Sequence, residues 1–332
     1  MNFRCLAKKV ICFLFIFVLF QNGTFSNLKV QAKDINQTRY EYYKNLPPDK
    51  YSEELKAWYK RLTKSELNLE NPTTYNEKIQ WLKLYDSTPI KTKLADKYLV
   101  RDWVKEKIGE EYLVPLLGVW DKFDDINFDK LPDKFVLKCN HGSGWNIVVT
   151  DKSNFNKAEA KKKFDTWINT NYAFRAGLEL QYKNMKPKII AEEYMENDGG
   201  DLYDYKVWCN NGRADFIMYL SNRKNGLKMS FYDTKWNLMP FTYTYPQHEN
   251  LLPKPANLNK ILDLATKLSE GFAHARVDFY RLNDGTLKFG EITFTSASGS
   301  CKFDPPEYNK ILGDLIELPK EKYDYHKLFE NK

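Results

Sequence analysis

The chain has 332 residues, 42% hydrophobic and 15% aromatic, with 15 glycines and 14 prolines; this excludes a disordered, collagen-like or low-complexity polypeptide and leaves length for one large or two modest cores. Its formal net charge of +7 comes from lysines spread along the sequence without a cationic tail, which favours an anionic small molecule or a polyanionic acceptor over nucleic acid. Of five cysteines, Cys5 and Cys12 lie near the N-terminus, and the remaining three, Cys139, Cys209 and Cys301, are an odd, widely spaced set that is neither a disulfide framework nor a zinc pattern.

At the N-terminus Arg4, Lys8 and Lys9 precede an unbroken apolar run over 10–20, and Val30-Gln31-Ala32 supplies a small-residue cleavage site. Residues 1–32 have the layout of a secretory signal peptide or, uncleaved, of an N-terminal membrane anchor; the run falls short of the roughly 20 apolar residues of a comfortable span. Export or membrane association through the N-terminus is expected, with the cytoplasmic face as the alternative. Cys139, Cys209 and Cys301 are expected to be reduced and buried in strands, an awkward fit to an oxidising compartment.

Residues 33–95 form a helical region. A short helix, a turn at Pro47-Pro48 and a second helix carrying Leu55, Trp58, Tyr59 and Leu62 on one side come first. Thr74 then stands three residues before Glu77 as a capping box, opening a helix with Ile79, Leu82 and Tyr85 at helical spacing. A further helix over 95–107 would place Lys97 and Arg101 on one face, where a surface charge pair is the simplest reading. Gly109 stops it, and an edge strand follows over 112–115.

A strand ending in Lys138 runs into Asn140-His141-Gly142-Ser143-Gly144 and then into a second strand. Gly142 and Gly144 let backbone N–H groups turn towards a phosphate that Lys138 can neutralise, although the loop lacks the Gly-Lys-Ser/Thr of a Walker A motif. His141 has no second His at ligand spacing and is expected to be a loop hydrogen-bonder. A helix over 157–170 faces inward with Phe164, Trp167 and Ile168. Strands over 187–195, 203–209, 215–220 and 228–232 follow, the first ending its apolar run in Glu192-Glu193, and then a helix over 258–271. This order suits two α+β subdomains, over 96–190 and 191–332, rather than a regular βαβ series.

The strongest local signal is the hairpin over 274–295, where two alternating runs flank Asn283-Asp284-Gly285-Thr286. A two-residue Asp284-Gly285 turn pairs Asn283 with Thr286, and counting outward sets Asp278 opposite Glu291 and Arg276 opposite Thr293. Those four then share one face, while Val277, Phe279, Ile292 and Phe294 share the other. Two carboxylates so close repel unless a cation lies between them. Either Arg276 neutralises the pair as a solvated ionic face, or the face is half of a Mg²⁺ site completed by water and phosphate.

The succession Tyr75-Asn76-Glu77-Lys78-Ile79, Ala95-Asp96-Lys97-Tyr98, Lys138 to Gly144, Ile189-Ile190-Ala191-Glu192-Glu193-Tyr194-Met195, Arg276-Val277-Asp278-Phe279 and Gly290-Glu291-Ile292-Thr293 resembles the ATP-grasp superfamily in its TupA-like branch. That branch is associated with teichuronopeptide and other surface-polysaccharide biosynthesis, and the resemblance runs from about residue 40 to the tail. It implies an α+β ATP-grasp fold whose two subdomains clasp a nucleotide, with ATP and Mg²⁺ as cofactors. Lys97, Lys138 and Lys206 would hold the nucleotide with the Gly142, Ser143 and Gly144 loop closing over it, while Glu192, Glu193 and the backbone near Met195 form the adenine and ribose side. Asp278, Glu291 and Thr293 would be the metal corner, and Arg276 and Lys138 the catalytic cations.

The expected activity is a carboxylate–amine ligase working through an acylphosphate on an unidentified glycan, peptide or carboxylate acceptor. The alternatives are a kinase on the same scaffold, a sugar-nucleotide glycosyltransferase and a non-catalytic binding module. No Ser/His or Cys/His pair is convincing, as suits chemistry done by positioning and electrostatics. Three departures stand out: Thr293 where the family has Asn, a short helical region in place of the Rossmann-like leading domain, and an export signal on an ATP user.

Overall fold

The computed structural model describes residues 37–175, 177–198, 202–221 and 226–330, so the targeting segment expected over 1–32 lies outside the described residues. The chain divides into a unit ending at Leu46, of which a helix over 37–45 is described, and a unit from Pro47 onward.

Four helices lead the second unit: Tyr51–Thr63, Tyr75–Tyr85, Pro89–Ala95 and Val100–Lys107. The Thr74–Glu77 capping box is formed in both directions, so two orphan N–H groups at the helix start are satisfied. Leu55, Trp58 and Tyr59 are buried as expected, but Leu62 is 44% exposed, because the helix ends one residue later and Lys64 turns the chain away in a left-handed conformation.

The continuous helix expected over 95–107 is broken. Asp96 takes an extended ψ of 117°, and its Oδ1 accepts the N–H groups of Tyr98 (2.8 Å) and Leu99 (3.0 Å), which ends one helix and starts the next. Lys97 therefore lies in a turn, and Lys97 and Arg101 do not share a helix face. The edge strand arrives later than expected: 112–115 gives way to a 3₁₀ turn at Glu110–Tyr112 and then to β1, Leu116–Trp120.

Two antiparallel sheets organise the rest. The first has the order β1-β4-β2-β3, with β2 at Phe135–Cys139, β3 at Asn146–Val149 and β4 at Ile189–Glu193. Phe135, Leu137, Ala191 and Ile189 point from it into a core shared with Phe164 of the helix Lys157–Ile168. The second has the order β10-β9-β5-β6-β7, with β5 at Tyr203–Asn210, β6 at Arg213–Ser221, β7 at Lys228–Asp233, β9 at His274–Arg281 and β10 at Leu287–Thr293. Its greasy face carries Val207, Ile217, Val277, Phe279, Ile292 and Phe294 against Ile261, Leu264 and Leu268 of the helix Leu258–Ser269. Each such buried side chain contributes about 1.5–3 kcal/mol relative to exposure. A small two-stranded sheet pairs β8 (Thr242–Tyr243) with β11 (Phe303–Asp304).

Cys139 and Cys209 are buried unpaired thiols in strands as expected, whereas Cys301, also buried and unpaired, lies just ahead of β11, where Asn76 Oδ1 accepts its N–H.

The β9–β10 hairpin brings Asp278 opposite Glu291 and Arg276 opposite Thr293, the register expected from the sequence, by a different route. The turn has three residues, not two: Leu282 N–H bonds Thr286 O at 2.9 Å, and Gly285 takes a φ of +89°. This sets Leu287 against Arg281 and shifts the pairing by one residue. A bulge between Phe289 and Glu291, at Gly290, shifts it back. Val277, Phe279, Ile292 and Phe294 are all buried on the opposite side of the sheet from Arg276 and Asp278.

Candidate functional site

The polar face of the second sheet carries a row of charge across three strands. Glu291 on β10 pairs with Asp278 on β9, and Asp278 with Lys206 on β5. Period-two alternation adds Asp204 and Arg276 to the same face. Arg276 donates through Nε to Asp278 Oδ1 (2.7 Å) and through Nη2 to Asp278 Oδ2 (2.8 Å), Glu291 Oε1 (2.8 Å) and Thr293 Oγ1 (3.0 Å). Lys206 is ion-paired to Asp278 and, at 3.0 Å, to Asp204. Burial works to lower the Lys206 ammonium, but Asp204 and Asp278 outweigh it and hold it above its ordinary value. Burial likewise works to raise the Glu291 carboxyl, but Lys97, Arg276 and Lys206 hold it well below the usual range.

Lys97 reaches this face from the turn after Asp96. Its backbone N–H is fixed by Asn140 O (3.1 Å), and its Nζ donates to Gly142 O (2.7 Å) and lies 3.5 Å from Glu291 Oε2. The β2–β3 loop is tied to the same turn, since Asn140 Nδ2 donates to Asp96 Oδ2 at 2.6 Å. His141 is the expected hydrogen-bonder, its two ring nitrogens meeting Asn140 Oδ1 and Trp167 O at 3.1 Å each. Gly144 has a φ of +73° and open space where a Cβ would stand, whereas a Cβ at Gly142 would meet the Trp145 ring at 2.4 Å.

Between the two sheets opens a cavity of about 580 Å³. From the first sheet it is lined by Lys138, Ser143, Gly144, Trp145, Asn146, Val148 and Thr150; from the second by Asp204, Lys206, Asp278, Tyr280, Gly290 and Glu291; and from elsewhere by Lys97, Tyr194, Met195 and Leu202. Three lysines and two carboxylates expected in a nucleotide site thus face one volume, together with the loop. Gly142 stands behind the wall as the carbonyl that holds Lys97, and Arg276 and Thr293 stand behind it as partners of Asp278 and Glu291.

Of the expected adenine and ribose side, Met195 lines the cavity and the two glutamates do not. Glu193 is exposed and Glu192 is buried; neither lines the cavity, and Glu192 accepts from Lys138 (2.5 Å) and Arg101 (3.4 Å). Asp204 and Tyr280 also line the cavity; each stands two residues along its strand from Lys206 or Asp278 and so shares that residue's face, the periodicity by which a sequence marks them. Trp145 and Leu202 line it too, from irregular segments where strand periodicity does not apply.

The donors fit a Mg²⁺ ion carried on phosphates. Asp278 and Glu291 offer only carboxylate oxygens, and among the described residues no group of three or more His, Cys, Asp and Glu side chains forms a metal cage. An octahedral ion held by two carboxylates takes its other ligands from phosphate and water. The Thr293 hydroxyl is already engaged, accepting from Arg276 and donating to Glu291 Oε1 at 3.1 Å.

The sequence matches the family model described as TupA-like ATPgrasp over residues 77–317. Among solved structures the chain is similar to the D-alanine–D-alanine ligase from Bacillus anthracis complexed with ATP, at 17% identity over 68% of this chain and 65% of that one, with a TM-score of 0.40. It is also similar to the L-amino acid ligase from Bacillus licheniformis, at 16% identity over 74% and 54% of the two chains and a TM-score of 0.43. An ADP complex of N5-carboxyaminoimidazole ribonucleotide synthetase gives 12% identity over 72% and 56%, with a TM-score of 0.41. The chain spans between about half and two thirds of the length of these proteins. No curated protein matches it significantly.

Proposed function

The chain belongs to the TupA-like ATP-grasp family, and from that premise we propose that it is an ATP- and Mg²⁺-dependent carboxylate–amine ligase acting on an exported or surface glycan or peptide. The observation that carries this reading is the cavity between the two sheets, where Lys97, Lys138 and Lys206 face the Asp278–Glu291 pair across a volume suited to a nucleotide.

Lys138 and Lys97 supply positive charge from the first sheet and the Asp96 turn, and Lys206 supplies it from the second. Held by carboxylates and carbonyls, they are positioned before charge develops on a phosphoryl group, so little reorganisation remains to be done there. Ser143 and Gly144 offer a hydroxyl and backbone N–H groups in the loop. Asp278 and Glu291 would hold Mg²⁺, which neutralises phosphate charge when bound. Arg276 orients both acids by pairing with each of them. In such a ligase the acceptor carboxyl is activated as an acylphosphate and then attacked by an amine, which requires no nucleophilic side chain.

Thermal shift with a non-hydrolysable ATP analogue and Mg²⁺ tests the nucleotide reading, since a ligand at about 100 times its Kd stabilises the folded state by roughly 2.7 kcal/mol. The protein should melt higher with analogue and Mg²⁺ together, less so after chelation, and not at all as Lys97→Met. No shift at millimolar nucleotide would sink the reading. The product then separates the chemistries: ADP formed with a carboxylate plus an amine selects the ligase, ADP with a hydroxyl acceptor a kinase, and UDP release from a UDP-sugar a glycosyltransferase.

A further inference from the structure

Glu192 and Arg101 have no place in the site as described, yet Glu192 ends on Lys138 and Arg101 ends on Glu192. In the β2–β4 ladder Lys138 faces Ile190 and Val136 faces Glu192, so Lys138 and Glu192 are diagonal neighbours on one face of the first sheet. Lys138 Nζ lies 2.5 Å from Glu192 Oε2, and Arg101 Nη1 lies 3.4 Å from Glu192 Oε1. Arg101 is fixed in turn by Val114 O, which accepts from its Nη2 at 2.9 Å. The side chains of Glu192, Arg101 and Lys138 are only 10%, 16% and 19% exposed. Of the three, Lys138 alone reaches the cavity wall.

A lysine ammonium on a four-carbon stem carries about 2 kcal/mol of rotamer entropy, and a site that needs its charge at one point gains from fixing it beforehand. Glu192 takes one of the three donors of Lys138, leaving two for a ligand. Two cations against one carboxylate also leave a net positive charge at the wall. We propose that Glu192 and Arg101 are positioning residues that fix the Lys138 ammonium for a phosphate group, and that neither touches the nucleotide. This rests on the ATP reading of the cavity, and replaces the ribose contact first expected of Glu192.

The test is calorimetric binding of a non-hydrolysable ATP analogue with Mg²⁺, and of adenosine by competition, to the full chain and to Glu192→Gln, Lys138→Met and the double variant. Glu192→Gln should weaken the analogue roughly tenfold, the scale of one charge-assisted hydrogen bond, and adenosine less than about twofold. In the Lys138→Met background, Glu192→Gln should change analogue affinity by less than about twofold, because its effect passes through the lysine. Equal losses for adenosine and analogue, or additive losses in the double variant, would establish a direct contact and overturn the proposal. Should Glu192→Gln not fold, Arg101→Gln keeps the carboxylate. There a phosphate-dependent loss recovered by Arg101→Lys supports positioning, and unchanged affinity overturns it. Failure of the unsubstituted protein to bind the analogue would instead remove the ATP reading itself, seen before any variant is compared.

Discussion

Gly290 shows how one residue can set a site without contributing a side chain. It occupies the bulge that restores the β9–β10 register, and it lines the cavity. A Cβ there would stand 3.1 Å from Asp278 O and 3.3 Å from Cε2 of Tyr280, so a methyl group presses on the strand that carries the carboxylate. Gly290→Ala should therefore cost about 1–2 kcal/mol in urea denaturation. Nucleotide affinity should fall by more than that loss of stability explains. Unchanged affinity in a folded Gly290→Ala protein would show that the bulge is not needed to place Asp278 and Glu291.

At the scale of elements, the helix Tyr75–Tyr85 is a brace between chain segments more than 200 residues apart. Asn76 Nδ2 donates to Cys301 O (2.8 Å), Gln80 Nε2 to Ser298 O (2.9 Å) and Gly299 O (2.6 Å), and Lys78 Nζ to Gly313 O (2.9 Å) and Ile316 O (2.7 Å). The braced loop follows directly on β10, and Ala297, Ser298 and Gly299 all have positive φ, a run that an L-residue chain keeps only when its surroundings enforce it. Gln80 is fully buried, so Gln80→Ala removes two hydrogen bonds, the one to Gly299 O a buried one, and should cost about 2–3 kcal/mol, read as a lowered urea midpoint with an unchanged m-value. A cost below about 0.5 kcal/mol would show that the brace is incidental.

Across the whole molecule, buried titrating groups make stability depend on pH. His274 is fully buried between Tyr75 Oη (3.2 Å) and Asn210 Oδ1 (2.7 Å). Burial, helped by Lys91 and Arg276, pushes it down from 6.5 to about 3. The folded state thus keeps His274 neutral while the unfolded chain takes up a proton below about pH 6.5, so this contribution is complete above that value and is lost as the pH falls towards 3. At pH 5 the loss is about 2 kcal/mol. Asp86, Asp96 and Glu179 are raised by burial and work in the opposite sense. The measurable quantity is therefore a difference: between pH 7 and pH 5 the urea midpoint of His274→Gln should fall less than that of the unsubstituted protein. Parallel profiles would contradict this assignment.

Local order along the chain already dictates which residues can meet. Alternation put Asp278, Glu291, Arg276 and Thr293 on one face of a hairpin, the Thr74–Glu77 pair marked a helix start, and strand succession marked α+β architecture, because these follow from local periodicity and turn chemistry. What they meet depends on contacts between distant segments. The Asp96 break came from a side chain that competes with the helix for backbone N–H groups and is held by Asn140 from a distant loop. Glu192 lies off the cavity wall, paired with two cations that other elements bring to it. The bulge at Gly290 offset a longer turn, and counting along the chain cannot reveal two shifts that cancel.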